Sequence, residues 1–174
     1  MQRISFLRAL RLMSCLFWLL SLPTAGAGAL RPGELEPLDA QGLQAILEAG
    51  EGRVVLLNFW ATWCRPCLKE IPDLMALVDE FGPERLMLVA VSLDDVSYDE
   101  SMVRDFIRDR FPGFSSWIST EAEMDSIVSV ADPAWNEVLP TSYVINASGV
   151  VDMRLQGGKS REEFAAAIQA SLKP

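Results

Sequence analysis

The sequence contains no histidine, and it contains only three cysteines. Without histidine the chain lacks the commonest metal ligand and the usual general base, and no serine–histidine or cysteine–histidine nucleophile pair can form. A structural zinc site needs about four cysteine or histidine ligands, which three cysteines cannot supply. We therefore expect neither a metal nor a cofactor, and the cysteines become the first candidates for any chemistry.

Basic residues are also scarce, with 15 Lys and Arg against 24 Asp and Glu and a net charge of −9. Three of the basic residues and none of the acidic ones precede residue 28, so the remaining chain carries −12. Nucleic-acid binding needs clustered Lys and Arg to displace phosphate counterions, so this function class is excluded. With 174 residues, half of them hydrophobic, the chain can build one domain around its own core. We expect a monomer, although the sequence does not set the oligomeric state.

Residues 1–27 have the three parts of a secretory signal peptide. Three arginines come first, an 11-residue apolar run over residues 12–22 follows, and small residues then provide cleavage sites. The run is short for a transmembrane helix, which needs about 20 apolar residues, although an uncleaved anchor stays an alternative. Cys15 lies inside this run and is interpreted as an apolar residue of a discarded segment. Export predicts an oxidising compartment, with the bacterial periplasm as the expected location.

The rest of the chain begins with an extended lead-in over residues 28–38, after which helix and strand patterns alternate through a single predicted domain, residues 39–174. Asp39 and Ser160 are predicted helix N-caps, the second in a capping box with Glu163. The predicted helices cover residues 39–49, 64–81, 95–110, 121–130 and 160 onward, and the predicted strands cover residues 53–59, 85–93, 114–118, 141–145 and 150–155. This order predicts an α/β fold with a central mixed sheet, helices on both faces, and a C-terminal β-hairpin followed by a helix.

Cys64 and Cys67 stand at the start of the predicted helix 64–81, directly after a predicted buried strand. Such a pair can be half of a zinc site, a structural clip or a redox centre. The chain lacks a second zinc-binding pair, and a four-residue ring removes little entropy from the unfolded chain, so a clip would stabilise weakly. A helix start stabilises a thiolate, Arg65 adds positive charge, and Pro66 removes an amide that the first turn can spare. The pattern favours a redox centre in which Cys64 is the exposed nucleophile and Cys67 the shielded resolving thiol.

Two segments carry a resemblance to a known family. Residues 58–72 (NFWATWCRPCLKEIP) resemble the motif of the TlpA/ResA/CcmG (DsbE) family of exported, thioredoxin-like disulfide reductases. Residues 139–146 (LPTSYVIN), followed by Gly149, are similar to that family's cis-proline strand and hairpin. The resemblance implies a thioredoxin-like fold, a cis bond before Pro140 packed against the disulfide, and backbone pairing between Leu139 and a bound substrate strand.

The same resemblance implies roles for further residues. It assigns Glu70 to tuning the cysteine pair and moving protons, with a solvated helix glutamate as the alternative. If Glu70 is partly buried, desolvation should raise its pKa and suit it to take the proton of Cys67. Trp63 is expected on an apolar rim that receives substrate. We add four other residues to the substrate-binding set: Arg65, Pro66, Leu139 and Thr141.

The leading functional hypothesis is a reductase of protein disulfides that a membrane electron donor of DsbD or CcdA type keeps reduced. The alternatives are a protein-thiol oxidant and an assembly factor for copper or haem proteins. The very oxidising relatives usually place a histidine between the cysteines, where this chain has Arg65 and Pro66. A thiol peroxidase is disfavoured because Ala61 and Leu57 stand where peroxiredoxins have a threonine or serine and a proline. The sequence does not reveal the substrate.

Overall fold

The computed structural model describes residues 30–173, apart from the side chains of residues 96–99. The predicted signal peptide, residues 1–27, and Cys15 within it lie outside the described residues. The described chain contains the strands β1 (Leu35–Leu38), β2 (Val54–Trp60), β3 (Leu86–Ser92), β4 (Ser116–Ser119), β5 (Thr141–Ile145) and β6 (Val151–Gln156), and the helices α1 (Ala40–Ala49), α2 (Arg65–Phe81), α3 (Val96–Arg110), α4 (Met124–Val128) and α5 (Arg161–Ser171). Within residues 30–173 no helix is long and apolar enough to cross a membrane.

The six strands form one sheet in the order β1-β4-β3-β2-β5-β6. The first four of these positions are parallel, whereas β5 runs antiparallel to β2 and β6 runs antiparallel to β5. The terminal pair is the predicted hairpin, and its turn is fixed by Asn146, whose Oδ1 accepts hydrogen bonds from the backbone N–H groups of Ser148 and Val150 at 3.0 and 3.1 Å. The predicted mixed sheet with a C-terminal hairpin and helix is confirmed.

Helices cover both faces of the sheet, as predicted. On one face α1 and α4 bury Leu43, Ile46 and Ile127 against the sheet. On the other face α2, α3 and α5 pack over the opposite side chains, with Ile71 and Phe164 among the fully buried residues. Because β2 and β3 lie at the centre, their side chains are buried on both faces, which explains why their sequences show no alternation of polar and apolar residues.

The caps predicted at two helix starts are confirmed. Asp39 accepts a hydrogen bond from the Gly42 N–H at 2.7 Å at the start of α1. Ser160 and Glu163 form the capping box of α5. The short elements are the ones whose bounds shift, since β4 begins two residues after the predicted start and α4 is five residues long.

The sequence analysis did not predict β1. Residues 28–38 were expected to be only an extended lead-in, but Leu35–Leu38 pair in parallel with β4 as an edge strand of the sheet. The strand has two buried ends, Leu35 and Leu38, around the exposed Glu36 and Pro37. Such a pattern is too short to show alternation, and a proline is tolerated because one edge of this strand has no neighbour.

Two features of the fold bring the candidate residues together. Helix α2 follows β2 directly, so its first turn lies at the carboxyl ends of the parallel strands, the edge where α/β proteins usually hold their sites. Strand β5 is antiparallel and begins at the same edge, with Thr141 opposite Phe59. The residues just before β5, including Pro140, therefore come close to the cysteine pair.

Candidate active site

Cys64 and Cys67 form a disulfide at the start of α2, with their Cα atoms 5.3 Å apart. Cys64 is the N-cap of the helix, and its Sγ accepts a hydrogen bond from the Cys67 backbone N–H at 3.3 Å. This bond places the sulfur at the positive end of the helix, where negative charge is stabilised. Cys67 is fully buried and Cys64 is 5% exposed, so the order of exposure is as expected, but only a small part of the Cys64 surface is open to a partner in the disulfide form.

Glu70 lies one turn after Cys67 on α2 and is 3% exposed. Its Oε1 accepts a hydrogen bond from Asn58 Nδ2 at 3.2 Å, and its Oε2 accepts one from the Lys159 backbone N–H at 3.1 Å. Burial raises its pKa to about 7, because desolvation outweighs the hydrogen bonds from Lys159 and Asn58 that favour the charged form. The interpretation of Glu70 as a solvated helix glutamate is therefore wrong, and the conditional expectation of a raised pKa is confirmed.

Asn58 lies under the site on β2 and is 1% exposed. Its Nδ2 donates to Ser142 Oγ on the neighbouring strand at 2.9 Å as well as to Glu70. Within residues 30–173, Asn58 Oδ1 has no hydrogen-bond partner. The amide thus ties the buried acid of α2 to both central strands without adding a second titratable group.

The peptide bond between Leu139 and Pro140 is cis, as the family resemblance implied. Leu139 is partly buried and packs against the apolar cluster that contains Cys64 and Cys67. The loop before β5 thus contacts the cysteine region through the residue that was expected to pair with substrate.

Thr141 differs from its expected place. We expected it in the substrate-binding set, but it is fully buried at the start of β5. Its Oγ1 donates to the Val138 carbonyl at 2.6 Å and accepts a hydrogen bond from Trp135 Nε1 at 3.3 Å. Its side chain therefore holds the loop before Pro140 and does not face a partner, because the hydroxyl is used within the fold.

Exposed apolar side chains flank the disulfide on two sides. Trp63 precedes Cys64 and is 62% exposed, and Val138 precedes Leu139 and is 41% exposed. Arg65 and Pro66 are exposed in the first turn of α2. Large exposed apolar residues near a redox pair are suited to a protein partner. Sequence reasoning missed Val138, whose only signal is its position two residues before Pro140.

A second loop lies against the first turn of α2. Gly157 and Gly158 follow β6, and a Cβ atom on Gly158 would lie 3.4 Å from the Cβ of Pro66. The next residue, Lys159, provides the backbone N–H that binds Glu70. The glycines allow this close approach, which the sequence analysis did not anticipate.

The arrangement offers thiol chemistry beside a buried acid. No group of three or more Cys, His, Asp or Glu residues suitable for a metal ion occurs in the described part of the chain. A disulfide at a helix start, a buried carboxyl group one turn later and a cis-proline loop at the same sheet edge define a thiol–disulfide oxidoreductase of thioredoxin-like fold.

Comparisons with known proteins agree with this class. A sequence model of the AhpC/TSA family matches residues 33–154, and the chain belongs to this family. The thiol-disulfide oxidoreductase ResA of Bacillus cereus is 28% identical over 131 residues, which are 75% of this chain and 70% of the relative. The sporulation thiol-disulfide oxidoreductase A of Bacillus subtilis is 26% identical over 161 residues, 88% of this chain and 94% of that protein.

A solved structure is similar as well. A protein of Chlorobium tepidum described as the thiol:disulfide interchange protein DsbE superposes with a TM-score of 0.61 at 25% identity, covering 73% of this chain and 85% of that one. The thioredoxin-like fold and the oxidoreductase activity are therefore established for this chain at the level of the class.

Proposed function

We propose that the protein is an exported reductase of protein disulfides, with Cys64 as the attacking sulfur and Cys67 as the resolving one. The observation that carries the proposal is the placement of the pair at the start of α2, one turn before a buried glutamate. The helix start favours the thiolate of Cys64, and Glu70 is suited to accept the proton of Cys67.

The reaction begins with both cysteines reduced. The Cys64 thiolate attacks one sulfur of the substrate disulfide, forming a mixed disulfide and releasing the first substrate thiolate, which takes up a proton. Cys67 then loses its proton and attacks Cys64 Sγ, which releases the second substrate thiol. The substrate gains two electrons and two protons, and the protein is left with the Cys64–Cys67 disulfide.

Glu70 supports the second attack. Because its pKa is raised to about 7, a fraction of the carboxyl groups is ionised at neutral pH and can accept the Cys67 proton. The two residues are three positions apart on α2, so they share a helix face, and both are buried. A proton passed between them stays out of bulk water.

The exposed residues around the disulfide form the proposed docking surface for substrate. We assign to it the apolar side chains of Trp63 and Val138, the first-turn residues Arg65 and Pro66, and the backbone of Leu139, which precedes the cis-proline Pro140. A protein substrate fits this surface because its extended chain can pair with backbone while its side chains contact Trp63 and Val138.

The direction of electron flow follows from the proposed compartment. If residues 1–27 direct export, the protein acts where thiols are oxidised, so a reductase must receive electrons from a membrane donor of DsbD or CcdA type. Apocytochrome c thiols and copper-site assembly factors are the proposed substrates.

The cellular redox state of the pair tests the direction. The full chain is expressed in a bacterium, the cells are quenched with acid, and free thiols are labelled with a maleimide that changes electrophoretic mobility. We expect Cys64 and Cys67 to be mostly free thiols when the membrane donor is present and mostly disulfide-bonded when it is deleted. A pair that stays oxidised in both strains would indicate an oxidant and contradict the proposal.

A further inference from the structure

A buried carboxylate holds the loop that presents Cys64. Asp94, the second residue after β3, is 3% exposed. Its Oδ1 accepts a hydrogen bond from Thr62 Oγ1 at 2.6 Å, and its Oδ2 accepts one from the Thr62 backbone N–H at 2.9 Å. Thr62 lies in the short connection between β2 and α2, two residues before Cys64. A single side chain of Asp94 thus fixes both the backbone and the side chain of this connection.

Ser92 completes the carboxylate environment. Its Oγ donates to Asp94 Oδ2 at 2.6 Å and accepts the Asp94 backbone N–H at 3.1 Å, and the residue is fully buried. None of the ion pairs among the described residues includes Asp94. The negative charge is therefore balanced by hydrogen-bond donors from Thr62 and Ser92 alone.

This arrangement is expensive if its only purpose is to stabilise the fold. A buried charge without a cation carries a desolvation cost, and apolar residues of similar volume often stabilise as well or better. Charge-assisted hydrogen bonds, however, are short and directional, so they hold their partners in one geometry. The environment of Asp94 has the properties expected of a device that fixes position.

We propose that Asp94 is a positioning residue for Cys64 and acts through Thr62. The two-residue spacing keeps the Cα atoms of Thr62 and Cys64 within about 7 Å, so a shift at Thr62 is transmitted to the attacking sulfur. The Cys64 backbone N–H donates to the Ala61 carbonyl at 3.1 Å, which makes the connection a tight turn with little freedom to absorb such a shift.

The consequence for reactivity follows from the position of the sulfur. Cys64 Sγ lies at the N-terminus of α2 and accepts the Cys67 N–H. A connection that has lost its anchor lets the reduced Cys64 leave this place, so its thiolate is less stabilised and less well aimed. The inference rests on the proposed role of Cys64 as the attacking sulfur.

The test uses the reduced full chain and an excess of a small aromatic disulfide, with the second-order rate of thiol attack as the readout. Asp94→Ala and Thr62→Val are each expected to lower this rate at least about tenfold. Both should move the pH midpoint of Cys64 alkylation upward by about half a unit. Thr62→Ser keeps the hydroxyl and the amide and should react like the unchanged protein. The double variant should be no slower than the slower single one, because both changes break the same contact.

A matched control separates positioning from stability. Asp39→Ala removes another capping carboxylate, at the start of α1 beside β1, the edge strand that β4 and β3 separate from β2. It should lower the thermal midpoint and leave the attack rate and the alkylation midpoint unchanged. If Asp94→Ala does not fold, Thr62→Val decides, since valine keeps the shape of threonine.

Two outcomes overturn different claims. Folded Asp94→Ala or Thr62→Val proteins that attack at the original rate with an unchanged alkylation midpoint would overturn the positioning role. A Cys64→Ser protein that still reacts with the disulfide at the original rate would instead overturn the proposed function.

Discussion

Replacing Cys64 with serine is expected to lower the rate of protein-disulfide reduction at least about a thousandfold, because the hydroxyl cannot act as the attacking group at neutral pH. The measurement is the reduction of a disulfide-bonded protein substrate with dithiothreitol as the electron source. Replacing Cys67 with serine should also stop turnover, but for another reason. Cys64 can still attack, and the mixed disulfide then persists because no resolving thiol follows.

The two variants therefore differ in what accumulates. The Cys67→Ser protein should retain one substrate molecule per chain in a bond that dithiothreitol cleaves, and the Cys64→Ser protein should retain none. Cys15→Ser is the matched control and should keep full activity, because Cys15 lies in the predicted signal peptide. Equal trapping by both variants would contradict the assignment of one attacking and one resolving cysteine.

Replacing Glu70 with glutamine is expected to slow turnover about a hundredfold at pH 8. Glutamine keeps the shape of the side chain but cannot accept the proton of Cys67. In the unchanged protein the rate should rise as pH passes about 7, where Glu70 ionises, and the variant should lack this step. Glu80→Gln, an exposed change on the same helix, is the control and should keep the original pH profile. A Glu70→Gln protein with that profile would contradict the proton-acceptor role.

The same variant has an expected effect on stability with a defined sign. The pKa of Glu70 is about 7 in the folded protein and 4.5 as the ordinary value, so folding favours the protonated form. The stability that this preference contributes is fully present below pH 4.5 and is lost as pH rises through 7. Between pH 4 and pH 8 the free energy of unfolding of the oxidised Glu70→Gln protein should therefore gain about 3 kcal/mol relative to the unchanged protein, measured by denaturant titration.

Local patterns made the centre of the site predictable. The Cys64–Cys67 spacing after a buried strand indicates a redox pair at a helix start, and α2 begins there. The burial of Glu70 was only a condition in the sequence analysis, because whether a helix glutamate faces solvent depends on the strands and loops that pack on it. The cis bond before Pro140 was implied by family resemblance, since a proline alone does not reveal its isomer.

The missed features depend on contacts between distant parts of the chain. Thr62 and Asp94 are 32 positions apart, and their hydrogen bonds form only because β2 and β3 are neighbours in the sheet. Lys159 reaches Glu70 from 89 positions away through its backbone, which no side-chain pattern records. Thr141 was assigned to substrate binding from its place beside the proline, but strand pairing buries it.

The central claim is that the bond between Cys64 and Cys67 is reversible and poised to give electrons to substrate. The equilibrium reduction potential of this pair, measured against a dithiothreitol or glutathione redox buffer, tests it most directly. The account predicts a value near or below about −250 mV, and a value near about −120 mV, or the absence of a redox-dependent thiol titre, would contradict it.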